Sequence, residues 1–195
     1  DIDTDKMYNT VMKWGFGNNG SSKIYHDPET RRNAFLYRIN FTRLAERLIE
    51  EGKMQKAKNI VDVAMTNFPV EYFGNYMTVE PFVELYYHLN EKQKGSDLVN
   101  QLAKKQEEQL HYYKSMKPAE QNDYAYEIME AIESYSRLIE YAEKPDTALA
   151  NKHKAILNPY TSYFSRFVQA MNAQRNEEPQ QQKQTDTVTT DTIKH

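Results

Sequence analysis

The chain has no cysteine, only six glycines and one tryptophan among 195 residues. Without cysteine there are no disulfides and no thiolate metal sites, and the redox compartment is left open between cytoplasm and periplasm. Basic residues are not in excess: the formal net charge is -3 and the pI is near 6.0. Nothing here neutralises a phosphate backbone, so nucleic acid is excluded as an expected partner. No run of about 18 apolar residues occurs, so no segment is expected to enter a membrane. The first residue is Asp1, and no leader is visible. The expectation is a piece of something longer, or a processed product.

What is present is a lean helical composition. The apolar share is 39% and mean hydropathy is -0.89. A chain of this length buries about 70% of its unfolded surface. A layered helical array suits such a sequence, because each layer buries one face.

The most informative segment runs from Phe41 to Pro69. Phe41, Leu44, Ala45, Leu48, Gly52, Ala57, Val61, Ala64 and Pro69 have the spacing of a tetratricopeptide repeat. Large residues fill the gap between two antiparallel helices, small ones let them touch, and proline stops the second. The first helix is predicted from Pro28, capped by Asp27, to about Glu51, with Gly52 as the left-handed stop. Its partner spans about Met54–Asn67.

A looser second unit follows a loop over 70–78. Val79, Phe82, Val83, Tyr86, Asn90, Gly95, Val99 and Leu102 take the places of Phe41 through Ala64. Asn90 replaces the turn glycine, since asparagine tolerates the left-handed conformation. The second helix of this unit is predicted to run on to about Met116. A helix over about 119–143, a turn at Lys144-Pro145-Asp146, a helix to Leu157 and a last helix capped by Asn158 make a degenerate third pair. The fold class is therefore all-α: a tetratricopeptide-like right-handed stack of six to seven helices. Three regions are expected: a short helix and Gly/Asn/Ser loop over 1–27, the repeat domain over 28–175, and a flexible tail over 176–195.

No catalytic constellation and no cofactor site is legible. Glu108 and His111 have the Glu-x-x-His spacing of di-iron bundles, but the second copy is missing. Glu84 and His88 share a face, which is weak grounds for a metal. Gly20-Ser21-Ser22-Lys23 lacks the glycine pattern of a phosphate loop. Glu127, Glu130 and Glu133 read as a solvated acidic ridge. The fifteen tyrosines read mainly as half-buried packing with hydroxyls at the rim, and some as lining for a groove. That groove is expected on the first helices of successive units, around Arg38, Thr42, Glu46, Tyr86 and Tyr87.

Several runs carry a resemblance. They are Asp3-Thr4-Asp5-Lys6-Met7-Tyr8, Lys13-Trp14-Gly15, Tyr25-His26-Asp27, Phe41-x-x-Leu44-Ala45, Glu50-Glu51-Gly52-Lys53 and Tyr86-Tyr87-x-Leu89. Together they resemble the C-terminal soluble region of a family of large bacterial membrane proteins of unassigned function. The membrane half of that family is similar to protein O-mannosyltransferases. The likeness covers about residues 1–115 well and the rest loosely. It implies a multi-span domain before Asp1, placement on the periplasmic face of the inner membrane, and a parent glycosyltransferase using a lipid-linked sugar. No catalytic residue is carried over. Asn90 in place of glycine, and Gly15-Phe16-Gly17 after Trp14, depart from the pattern.

Asp146-Thr147-Ala148, Asp186-Thr187-Val188 and Asp191-Thr192-Ile193 resemble sites glycosylated outside the cytoplasm in such bacteria, with Thr187 and Thr192 the better acceptors. The expected function is non-catalytic: an extracytoplasmic helical-repeat domain that binds protein or peptide, tethered to a glycosyltransferase-like membrane protein. The alternatives are a glycan-acting or glycan-binding domain, and a structural spacer or oligomerisation domain.

Overall fold

In the computed structural model, residues 3–74 and 76–169 are described. Among them the fold is all-helical with no strand. The elements are α1 (Thr4–Val11), α2 (Pro28–Glu50), α3 (Met54–Asn67), α4 (Val70–Phe73), α5 (Glu80–His88), α6 (Lys92–Ser115), α7 (Pro118–Gln121), α8 (Ala125–Glu143) and α9 (Thr147–Tyr163).

Local signals set the boundaries. Asp3 caps α1 by accepting from the Lys6 amide at 2.9 Å. Asp27 caps α2 in the same way through Thr30, also at 2.9 Å, with Pro28 in the first turn. Each interaction satisfies an orphan N–H and sets a carboxylate at the positive end of the helix.

The ends of α2 and α5 are near copies. Gly52 stands at φ 72° and Asn90 at φ 57°. The Lys53 amide reaches back to the Leu48 carbonyl at 2.8 Å and the Gly52 amide to Ile49 at 2.9 Å. In α5 the Glu91 amide reaches Tyr86 at 2.8 Å and Asn90 reaches Tyr87 at 3.1 Å. Both are Schellman turns, in which one left-handed residue lets two amides close the last helical carbonyls. Every repeat-core position predicted between Phe41 and Ala64 is buried, Gly52 apart, and so are Val79, Phe82, Val83, Tyr86, Val99 and Leu102.

These turns fold α2 onto α3 and α5 onto α6, and α8 packs on α9. Helix α5 also touches α2, α3 and α8, while α6 touches α8 and α9. Ala45, Ala57 and Ala64 are fully buried and permit close helix approach. Helix α1 covers the first pair through Val11, and Thr4 donates to Glu51 at 2.6 Å.

One polar chain runs through the core. Gln106 Nε2 donates to Ser134 Oγ at 2.7 Å, and Ser134 donates to Glu80 Oε1. Arg137 Nε donates to Glu80 Oε2 at 2.8 Å. Glu80 is buried, so its charge depends on these partners. A second polar cluster joins α6, α8 and α9. His153 Nδ1 lies 2.9 Å from the Tyr135 hydroxyl, and its Nε2 lies 3.1 Å from Asn100 Oδ1.

Three boundaries differ from expectation. The predicted loop over 70–78 contains α4 and a tight turn at Tyr76–Thr78. The helix predicted over 119–143 breaks at Asn122–Tyr124. There the buried Gln121 side chain donates to the Tyr113 and Met116 carbonyls at 3.0 and 3.2 Å, tying the break to the end of α6. Asn158 does not start a last helix, because α9 runs through Pro159. Pro159 and Ala155 are both exposed, so water can take the carbonyl that proline leaves unbonded. The chain turns at Phe164 instead, and residues 165–169 are helical. The expected tail, with Thr187 and Thr192, lies outside the described residues.

Candidate functional site

The groove predicted from sequence is mostly interior. Arg38, Thr42 and Tyr86 are buried. Arg38 sends Nε and Nη2 to the Phe68 carbonyl at 3.2 and 2.7 Å. It also reaches Pro69 O at 3.2 Å, Gly74 O at 2.6 Å and Thr78 Oγ1 at 3.3 Å. Burial lowers its pKa to about 10, so it stays charged at neutral pH. Its role is to hold the segment after α3 onto α2. Thr42 bonds back to the Arg38 carbonyl at 3.0 Å. Tyr86 stands in α5 where Leu48 stands in α2, four residues before the left-handed turn residue, and burial pushes its hydroxyl pKa up. Tyr87 is half-buried, with its hydroxyl 3.3 Å from Ser96 Oγ. Gly95 makes room for that ring: a Cβ there would stand 2.9 Å from Tyr87 Cε1.

Glu46 is the member of that set that faces outward. Its carboxyl pKa is raised, first by partial burial, then by the charges of Glu84 and Glu50, against the pull of Arg43. Glu84 also acts on Tyr141, whose pKa is raised first by burial, then by Glu84 and Glu80. The first helices α2, α5 and α8 thus bring Glu46, Glu84 and Tyr141 to one face. The sequence held a signal for this. Glu84 follows Glu46 by the same interval that separates Gly52 from Asn90.

A second surface forms where the loop after α1 meets the first pair. Trp14, Phe16, Tyr37 and Phe68, with Gly15, Gly17 and Asn19, line an open pocket of about 560 Å³. Tyr37 stacks on Phe68 at 5.2 Å, and Trp14 meets Tyr37 edge-on at 6.1 Å. Trp14 and Tyr37 remain 39% and 42% exposed, enough to offer ring surface. The loop is pinned by buried His26, whose ring lies 4.4 Å from Phe73 and whose Nε2 lies 2.9 Å from Asn19 O.

A third space, of about 370 Å³, lies between α6 and α8 beside the Tyr76–Thr78 turn. Glu127 and Glu130 line it. The solvated ridge expected there describes exposed Glu127, whereas Glu130 and Glu133 are half-buried. Glu133 acts electrostatically on Arg137. The two lining carboxylates stand one turn apart on α8, on one wall. A glycoside-cleaving pair instead flanks its bond.

Elsewhere, Glu108 pairs with Lys105 at 2.9 Å, and His88 lies 3.9 Å from Glu84. Among the described residues no group of three or more His, Asp or Glu could hold a metal ion, and no helix is long and apolar enough to cross a membrane. Asp146 caps α9, and Thr147 Oγ1 bonds the Glu143 carbonyl at 2.9 Å inside the helix start. No family model matches this chain, and neither a curated protein nor a solved structure matches it.

Proposed function

We propose that this chain is a tetratricopeptide-like repeat domain that binds a protein or peptide along the face of α2, α5 and α8. The observation that supports this reading is the likeness of the first two hairpins. Two hairpins share turn geometry and buried positions at one fixed interval, and the same interval puts Glu46 and Glu84 on the outer face. Helical arrays use such a face for extended ligands. Crowded carboxylates suit a segment bearing lysine or arginine. Its placement outside the cytoplasm, tethered to a glycosyltransferase-like membrane half, is part of the same proposal and rests on the sequence resemblance. Titration calorimetry of the chain against a panel of basic and scrambled acidic peptides tests it. Binding should weaken with salt and fall about tenfold in a Glu46→Gln, Glu84→Gln double variant. Affinity indifferent to both would refute this face.

A second reading has its own observation. Exposed faces of Trp14 and Tyr37, beside the amide of Asn19, suit the C–H surface and hydroxyls of a sugar. Trp14 is the chain's single tryptophan. Its fluorescence therefore reports directly on a titration with oligosaccharides. A flat response excludes glycan contact at this pocket.

A further inference from the structure

The space between α6 and α8 is lined by more than loose surface side chains. Gln106 lies in its wall and is 4% exposed, and its Oε1 has no hydrogen-bond partner. The orientation of this amide is fixed by its neighbours. Arg137 holds Glu80 as a carboxylate acceptor. Ser134 gives its only proton to Glu80, so the serine oxygen can only accept. Gln106 must therefore turn its NH2 toward Ser134, at 2.7 Å, which leaves Oε1 without a donor. A buried carbonyl in that state costs free energy that an incoming N–H or O–H recovers.

The rest of the lining says what kind of donor fits. Glu127 and Glu130 add two carboxylates, and among the described residues no lysine, arginine or histidine lines the space. Tyr76 and Met77 add an aromatic ring and a thioether. A ring face attracts a cation, and both side chains cover methylene groups. The volume, about 370 Å³, is in the range of small-molecule sites.

We propose that this cavity binds an alkylammonium group, with the ammonium donating to Gln106 Oε1 and balanced by Glu127 and Glu130, and the stem against Tyr76 and Met77. The group has two sources, a free diamine or a lysine side chain on a partner. The site is separate from the α2–α5–α8 face, so the Glu46→Gln, Glu84→Gln variant should leave it unchanged.

The test uses the full chain with 1,5-diaminopentane, a lysine derivative blocked at both backbone ends, and 1,5-pentanediol as the neutral isostere. Either amine should shift the Gln106 side-chain amide and Tyr76 ring resonances saturably. Preference between the amines identifies the source. Glu127→Gln with Glu130→Gln should weaken binding about tenfold or more, without touching the buried chain. Gln106→Met should abolish it, and the glutamate pair keeps the test decisive if that variant unfolds. Three results overturn the proposal: equal binding of the diol, unchanged affinity in the glutamate variant, or no shift with either amine.

Discussion

Arg38 offers the sharpest test of how this fold is held together. Its guanidinium is buried and, among the described residues, sends five hydrogen bonds to four oxygens of the segment after α3. Two of those oxygens, the Phe68 and Gly74 carbonyls, stand at the C-terminal ends of α3 and α4, where negative partial charge accumulates. Replacing Arg38 by alanine leaves those carbonyls short of donors and opens a void. Each orphaned acceptor costs about 1–3 kcal/mol, and relief of the buried charge returns part of that. The net expected loss is about 3–5 kcal/mol. At roughly 2–4 °C per kcal/mol for a domain of this size, the melting midpoint should fall by about 10 °C. Arg38→Lys should recover only part, because three donors on a point charge cannot span the fork. Urea unfolding followed by circular dichroism measures both variants. A loss below about 1 kcal/mol for Arg38→Ala, or full recovery with lysine, would refute this account.

Two further outcomes follow from side chains in tight places. The pKa of His153 is lowered, first by burial and then by the charge of Lys152. With Asn100 accepting from Nε2 and Tyr135 donating to Nδ1, the neutral ring is satisfied. A depressed folded pKa means its stabilisation is present above the unfolded value, about 6.5, and is lost as pH falls through the folded one. Urea midpoints should therefore drop as pH falls below about 6.5, and His153→Gln should flatten that slope; equal slopes would remove His153 from the account. At Gly20 an added Cβ would stand 2.1 Å from the Thr66 carbonyl oxygen, in the last turn of α3. Gly20→Ala should cost about 2 kcal/mol or more by thermal melt. Gly15→Ala, in open space, should cost little; similar melts for both would show that the loop does not press on α3.

The first two hairpins were legible because their signals are local. Asp27, Gly52 and Asn90 act within one turn of themselves, and the alanine and leucine spacing fixes which side is buried. Most of the residues expected to line the groove are interior for a different reason. Arg38 looks like a surface residue until the segment after α3 folds over it, and that return depends on contacts some thirty residues away. The break before α8 was hidden for the same reason, since Gln121 acts on α6 rather than on its own helix. Pro159 misled in the opposite sense: a proline on a wet face interrupts less than its reputation suggests. Gln106, Ser134 and Glu80 gave no sequence signal at all, because three scattered polar residues become a cluster only when α5, α6 and α8 meet.

That cluster also bears on how the stack can flex. Oily helix faces tolerate slippage, because one hydrocarbon contact is much like the next. Sliding the second hairpin along the third would strand the Glu80 carboxylate in hydrocarbon, so this joint is keyed to a single register. Across the earlier seam, Lys58 pairs with Glu91, the N-cap of α6, and Lys94 with Asp62, ion pairs near the surface that resist little. Elastic give is therefore expected to concentrate between the first two hairpins.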